Sequence, residues 1–318
     1  KSINEKIDGM ASSFSAFSGR NSLGLSFDYL SPYEEIAADL MEEVLLKPLF
    51  SSDIIEREKQ MLYHQIKSKN DNPAQVCISL FMEHLFRGHP YAKDTWGRPE
   101  TLEKLTTKNL KDYYDKTIQR ANMTLCLVGD IDINHWKKRI ASWSTRMTLG
   151  KRIDQEFSIL PVKNETRVFK KLEREQSHIV VGYRGLTLRD PDRHTLQILQ
   201  SILAGQGGRL FFELRDKNSL AYSVSPLKME GIDTGYFGAY IGCSPDKATK
   251  AIEMIQQEFK KLCNDKVLPD ELERAQKYVI GRYDIELQRK SAVSNSILFD
   301  ALYGLDPEET FHVTEKYR

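Results

Sequence analysis

A strand, a Ser-Pro step and a helix occur twice in this 318-residue chain, and that repetition limits the architectures open to it. Ser31-Pro32 recurs as Ser244-Pro245, each after an apolar run and before a helical pattern. Glu56-Arg57 in the next helix recurs as Glu273-Arg274, and the break at Gly88-His89-Pro90 recurs as Gly304-Leu305-Asp306-Pro307. The separation is about 215 residues each time, the mark of one copied unit. Strands followed by helices, twice over, predict a duplicated α+β domain. The polar, aperiodic stretch 148–166, which includes Pro161, is the expected link and divides the chain into domains at 1–157 and 158–318. The second copy carries strands and a helix ahead of its Ser-Pro that the first has no room for. The first continues past its glycine break, where the second stops. On this reading the first domain lacks its front and the second its back, as in a piece of a longer polypeptide.

Residues 7–16 and 23–30 read as strands, the second from the alternation of Leu23, Leu25, Phe27 and Tyr29. Ser31 is expected to cap a helix reaching residue 46, with Pro32 at its first position and Glu34 and Glu35 at its positive end. Pro48 and Asn72-Pro73 separate it from helices at 54–68, capped by Asp53, and at 74–86. Thr106 caps a helix at 108–116; a strand at 123–128 and a helix at 133–143 follow. The second copy offers strands at 166–172, 178–183 and 235–242. Its helices are expected at 191–203, 245–262, 269–288 and 292–303.

Composition narrows the function classes. Hydrophobic residues are 40% and charged residues 29%, which suits a globular chain with sizeable cores. A net charge of +1 gives no electrostatic case for nucleic acid or an anionic membrane. No apolar run reaches transmembrane length, and no targeting segment is visible. Cys77, Cys126, Cys243 and Cys263 form no Cys-x-x-Cys pair and read as buried free thiols, which leaves the compartment open.

The stretch 207–224 carries the most chemistry. A glycine break precedes a short amphipathic helix with Leu210, Phe211 and Leu214 on one face; Lys217-Asn218-Ser219 forms a turn, and a β run begins at Ala221. Arg215 and Tyr222 bracket that turn. Both side chains donate hydrogen bonds, so together they suit a peptide carbonyl or an oxyanion. A surface arginine and a half-buried tyrosine would show the same spacing.

These residues carry a family resemblance over nearly the whole chain. Leu46-x-Pro48-x-Phe50, Ile55-Glu56-Arg57-Glu58-Lys59, Asp71-Asn72-Pro73, Leu85-Phe86-x-Gly88-His89-Pro90 and Gly97 occur in order. Gly207-Gly208-Arg209-Leu210-Phe211-x-x-Leu214-Arg215 and Leu220-Ala221-Tyr222 follow in the second copy. The chain resembles the pitrilysin/insulinase zinc metallopeptidases, which include the mitochondrial processing peptidases. The resemblance implies two homologous domains, each a mixed, mostly antiparallel sheet packed on helices, forming half of a clamshell around a peptide.

That family's zinc site needs His-x-x-Glu-His on one helix, with the glutamate as general base, and a further metal-binding glutamate on a second helix. Here the near match is Glu83-His84, with Leu80 where the first histidine would stand, and it reads as an ordinary surface helix. The second-helix glutamate falls on Gln65, a neutral amide that replaces a carboxylate poorly on zinc. Glu58 matches a glutamate kept near the site but equally suits a solvated helix pair. Active members carry Asn-Ala-Tyr and a following Glu on the edge strand, where this chain has Ser15-Ala16-Phe17 and Asn21. The Arg215/Tyr222 pair, in contrast, matches the family's Arg–Tyr pair, which reaches across from the half opposite the zinc to the substrate backbone.

The resemblance therefore implies the non-catalytic, substrate-enclosing half of a zinc endopeptidase. It implies zinc in the complete enzyme and none in this chain. The implied partners are a peptide or unfolded substrate and a catalytic half, joined or separate. Two other readings stay open: a degenerate structural or binding protein of the same fold, and an active peptidase whose zinc motif lies in an absent N-terminal segment.

Overall fold

The computed structural model describes residues 3–154, 157–162 and 164–318. They cluster into two compact units, each stitched from separate stretches of chain.

The first unit comprises the described parts of Lys1–His64, Thr95–Gln155 and Gln288–Pro307. It opens with helix α1 (Ile3–Gly9), where a strand was expected from residue 7. Ile3, Ile7 and Met10 keep helical spacing, and Met10 is buried, so this period outcompetes the strand expected from residue 7. β1 (Ser13–Ser18) and β2 (Leu23–Asp28) then pair as an antiparallel hairpin. A 3-10 turn (Ser31–Tyr33) leads into α2 (Glu34–Leu46). Ser31 does not cap that helix as expected; its hydroxyl donates to the Asp130 carbonyl at 3.3 Å instead. α3 (Ser52–Asp71) begins in this unit and ends in the other.

Residue 123 starts no strand: 123–128 pairs with nothing among the described residues, and Met123 and Leu125 stay exposed. Alternation makes a segment fit for a sheet, but only a partner ladder makes it a strand. α7 (Ile133–Arg146), capped by Asp132, packs on α2 instead. Three short helices precede it: α4 (Pro73–Leu85) belongs to the second unit, and α5 (Pro99–Glu103) and α6 (Thr107–Thr117) to this one. Thr106 and Asn109 form the capping box of α6.

Polar contacts finish the α2–α7 contact around the buried Ala38, Trp136 and Trp143. The Trp136 indole donates to Glu34 at 2.5 Å and the Trp143 indole to Glu42 at 2.6 Å. Arg139 bridges Glu35 and Asp39, and Arg146 bonds Glu42 at 2.7 Å. The Arg146 hydrogen bond holds the Glu42 carboxyl below the usual carboxylate range. A depressed folded pKa stabilises the fold fully above the unfolded value, about 4.3, and the gain is lost as pH falls through the lower folded value. Glu42→Gln is therefore expected to lower the urea midpoint at pH 7 and to flatten its decline between pH 5 and pH 3. Paired urea titrations at those pH values measure both effects.

The second unit comprises the described parts of Gln65–Asp94, Glu156–Leu287 and Glu308–Arg318. Its sheet has the order β3-β5-β4, all antiparallel, from β3 (Ser177–Gly185), β4 (Ser223–Met229) and β5 (Gly235–Cys243). The strand expected at 166–172 is not formed; Phe169 there is 90% exposed, with no ladder partner among the described residues.

One face of the sheet receives α8 (Arg193–Leu203) and α9 (Ala248–Asn264) through Leu203, Ala239, Ile241, Ala251 and Ile255, all essentially inaccessible to solvent. α10 (Pro269–Glu286) adds Ala275 and Val279 against Ile198 and Ile202 of α8. α4, capped by the Asn72 side chain, lays Phe81 against the sheet beside Tyr236. Gly182 makes that possible, because a Cβ there would stand 2.7 Å from the Phe81 ring.

The helix α11 (Lys290–Tyr303) belongs to the first unit, where Phe299 meets Phe17 of β1 edge-on, and α12 (Glu309–His312) belongs to the second. The order strand, 3-10 turn and three helices thus occurs at β2 to α4 and again at β5 to α11. The fold is α+β, with helices over small antiparallel sheets.

All four cysteines are free thiols. They are not uniformly buried as expected: Cys243 is, Cys263 is exposed, and burial pushes the Cys77 thiol up to about 11. Among the described residues no helix is long and apolar enough to cross a membrane.

Candidate functional site

The segment 205–222 joins α8 to β4, and its local sequence explains its path. Gly205 takes a left-handed φ of 74°. Gly208 then passes so close to the preceding turn that a Cβ would lie 2.1 Å from the Ala204 carbonyl oxygen. Arg209 makes a two-pronged ion pair with Glu271 in the first turn of α10, at 2.7 and 2.6 Å. That hydrogen bonding raises the Arg209 pKa above its ordinary value. Leu210 and Leu214 are fully buried in the core under the sheet.

The expected short helix is present, but residues Phe211–Lys217 wind as a π-helix rather than an α-helix. Such wide turns are rare and concentrate at functional sites. The turn closes through the Leu220 amide, which donates to the Leu214 carbonyl at 2.7 Å, with Ser219 at a left-handed φ of 51° between them. Lys247 fixes that turn from outside by donating to the Ser219 carbonyl at 2.9 Å. The Tyr222 amide then donates to Gly242 of β5 at 2.9 Å, which starts the β4 ladder.

Arg215 and Tyr222 thus stand next to pinned backbone: one follows buried Leu214, the other is tied to the central strand. Both side chains are exposed, Tyr222 to 63%. Arg215 lies with its guanidinium carbon 4.6 Å from the centre of the Phe211 ring. Glu213, the nearest acid in sequence with a fixed partner, is bonded to Lys217 at 3.2 Å. Among the described residues neither the guanidinium nor the phenol makes a hydrogen bond or ion pair. A guanidinium offers five donors and a phenol one, all suited to a carbonyl or an oxyanion.

The positions that resemblance links to metal are arranged differently. Glu58 and Gln65 are both exposed on α3, and Glu58 pairs with Arg57 at 3.3 Å. Glu83 and His84 are exposed on α4, and His84 bonds the Leu80 carbonyl through Nδ1 at 2.9 Å. A carbonyl only accepts, so that nitrogen carries the proton. His89 is buried, with Nε2 3.3 Å from Asp233 and Nδ1 accepting from the Tyr91 amide at 3.1 Å. Among the described residues no group of three or more His, Cys, Asp or Glu could hold a metal ion. These side chains do not fit a zinc shell. Ser15, Ala16 and Phe17 lie on β1, and Asn21 in the hairpin turn.

Sequence reasoning missed Glu271, the partner that anchors the segment, because it lies 62 residues from Arg209. It also missed the stacking of Arg215 on Phe211, although their spacing of four residues was a usable signal.

Comparison with known proteins agrees with this architecture. A family profile described as insulinase (peptidase family M16) matches residues 1–98, and one described as peptidase M16 inactive domain matches residues 104–279. An uncharacterized zinc protease of Streptomyces coelicolor is 24% identical over 93% of this chain and 66% of its own length. One from Bacillus subtilis is 23% identical over 91% of this chain and 70% of its length. The chain therefore spans about two thirds of the curated relatives it matches. A crystal structure of a peptidase M16 inactive domain from Pseudomonas fluorescens superposes with a TM-score of 0.86 at 21% identity, covering 99% of this chain and 76% of that one. A protease from Helicobacter pylori gives 0.82 at 16% identity, covering 99% and 77%. The second-copy motif, the α+β units and the profile matches over both halves point the same way: this chain belongs to the insulinase, or M16, family of zinc peptidases.

Proposed function

We propose that the chain is the non-catalytic, substrate-enclosing half of an M16 zinc endopeptidase, in which Arg215 and Tyr222 hydrogen-bond the peptide backbone beside the bond to be cut. The observation that carries this reading is the pairing of pinned backbone with uncommitted donors: Leu214 and the Gly242 carbonyl fix the segment, while the guanidinium and the phenol face outward without partners among the described residues. Donors held in place before the charge develops are the ones that stabilise a transition state. The poor fit of Gln65, Glu58 and His84 to a metal shell supports assigning zinc, water and general base to a separate catalytic half. The substrates are peptides or unfolded segments that an enclosing pair of halves admits.

The test uses the enzyme assembled with its catalytic half. Arg215→Ala is expected to lower kcat for peptide hydrolysis by about 10²-fold, the usual cost of one oxyanion donor, with bound zinc unchanged. Tyr222→Phe, which keeps the ring and removes the donor, is expected to act in the same direction. Wild-type turnover in both variants would leave a structural or purely binding role for this fold and would sink the proposal.

A further inference from the structure

We infer that Phe211 is a positioning residue for Arg215, its ring face setting the guanidinium's orientation while leaving the N–H donors free for substrate. The inference rests on the reading of Arg215 as a substrate-binding residue. Four observations lead to it. The guanidinium carbon sits 4.6 Å from the ring centre, within cation–π range. No carboxylate among the described residues pairs with Arg215, and Glu213 is occupied by Lys217 at 3.2 and 3.4 Å. The ring is half-buried, between the fully buried Leu210 and Phe212, which is 54% exposed. Finally, the π-helical winding spans both residues, so ring and guanidinium belong to one turn.

The choice of partner matters chemically. A carboxylate would orient the guanidinium by consuming two of its five N–H donors and would offset its charge. An aromatic face orients it through the π-cloud and leaves the N–H edge open. Lys217 pairs with Glu213 on the same turn. Misplacement of a catalytic donor by a fraction of an ångström costs rate rather than binding, so the effect belongs in kcat.

The experiment compares Phe211→Leu, Phe211→Trp, Arg215→Ala and the Phe211→Leu/Arg215→Ala double variant in the assembled enzyme. Phe211→Leu is expected to lower kcat about two- to fivefold with little change in KM. Phe211→Trp, which restores a π-face, is expected to recover most of it. In the Arg215→Ala background Phe211→Leu is expected to add nothing, because the ring acts through the arginine. A proton–nitrogen spectrum of the chain provides a readout independent of turnover: the Arg215 Nε–H resonance should carry a ring-current shift that Phe211→Leu abolishes and Phe211→Trp keeps. Loss of kcat in Arg215→Ala with wild-type kcat in Phe211→Leu overturns this inference alone. So does a Phe211→Leu effect of equal size in both backgrounds. Wild-type kcat in Arg215→Ala overturns the reading of the site first, and the inference with it.

Discussion

Phe86→Ala is expected to destabilise the second unit by about 3–5 kcal/mol, the range for emptying a fully buried aromatic site. Phe86 is completely inaccessible to solvent. Its ring meets Tyr91 edge-on at 5.6 Å and approaches Tyr236 and His89 at 6.3 Å each. It also carries the Arg184 guanidinium, whose carbon lies 4.6 Å from the ring centre. Among the described residues Arg184 has no acid partner: it donates to the Thr234 hydroxyl and the Leu160 carbonyl, its Nε is buried without an acceptor there, and burial pulls its pKa below the ordinary value. Removing the ring therefore creates a cavity and also strips a half-buried cation of its aromatic face. Calorimetry on Phe86→Ala should show a large fall in the transition of that unit, with Phe86→Leu intermediate. A Phe86→Ala transition within a degree of wild type would contradict this account of the Leu85-Phe86-x-Gly88-His89-Pro90 motif as packing.

Glu271→Ala is expected to cost a similar amount, about 3–5 kcal/mol, because it leaves Arg209 charged and largely enclosed without its two-bond partner. The pair is well sheltered, with side-chain exposures of 18% and 12%. Its geometry is the parallel two-bond fork that makes arginine–carboxylate pairs directional. Replacing both residues together, Arg209→Met with Glu271→Leu, should recover much of the loss, since the main penalty is the unpaired charge. Urea unfolding of the single and double variants measures this. Equal stabilities for wild type and Glu271→Ala would show that the bridge does not anchor the segment 205–222.

Helix starts were legible wherever a cap acts locally: Asn72, Thr106 and Asp132 each accept bonds from amides two or three residues on. Ser31 has the right identity for a cap, yet its hydroxyl is taken by Asp130, a partner 99 residues away that no local pattern announces. The residues 123–128 and 166–172 have strand character but no ladder partner among the described residues, and pairing is a property of two segments. Residues 3–10 show the opposite error, where helical spacing wins over the strand expected from residue 7.

The candidate site was legible as residue identities. Arg215, Tyr222 and the glycine break could be named from the chain, because their order and spacing are local. The π-helical winding was not legible, since its apolar spacing at Leu210, Phe211 and Leu214 is indistinguishable from that of an α-helix. Nor was the anchoring by Glu271 and Lys247, which comes from the second half of the unit.

The most direct test of the central claim is the zinc content of the purified 318-residue chain, by elemental analysis after dialysis against trace zinc. The account predicts far less than one zinc per chain, because Gln65 is a neutral amide, Glu58 is exposed and paired with Arg57, and His84 is exposed and bonded to the Leu80 carbonyl. One tightly held zinc per chain, lost on substitution of His84, His89 or Glu58, would contradict it and place the metal site in this chain.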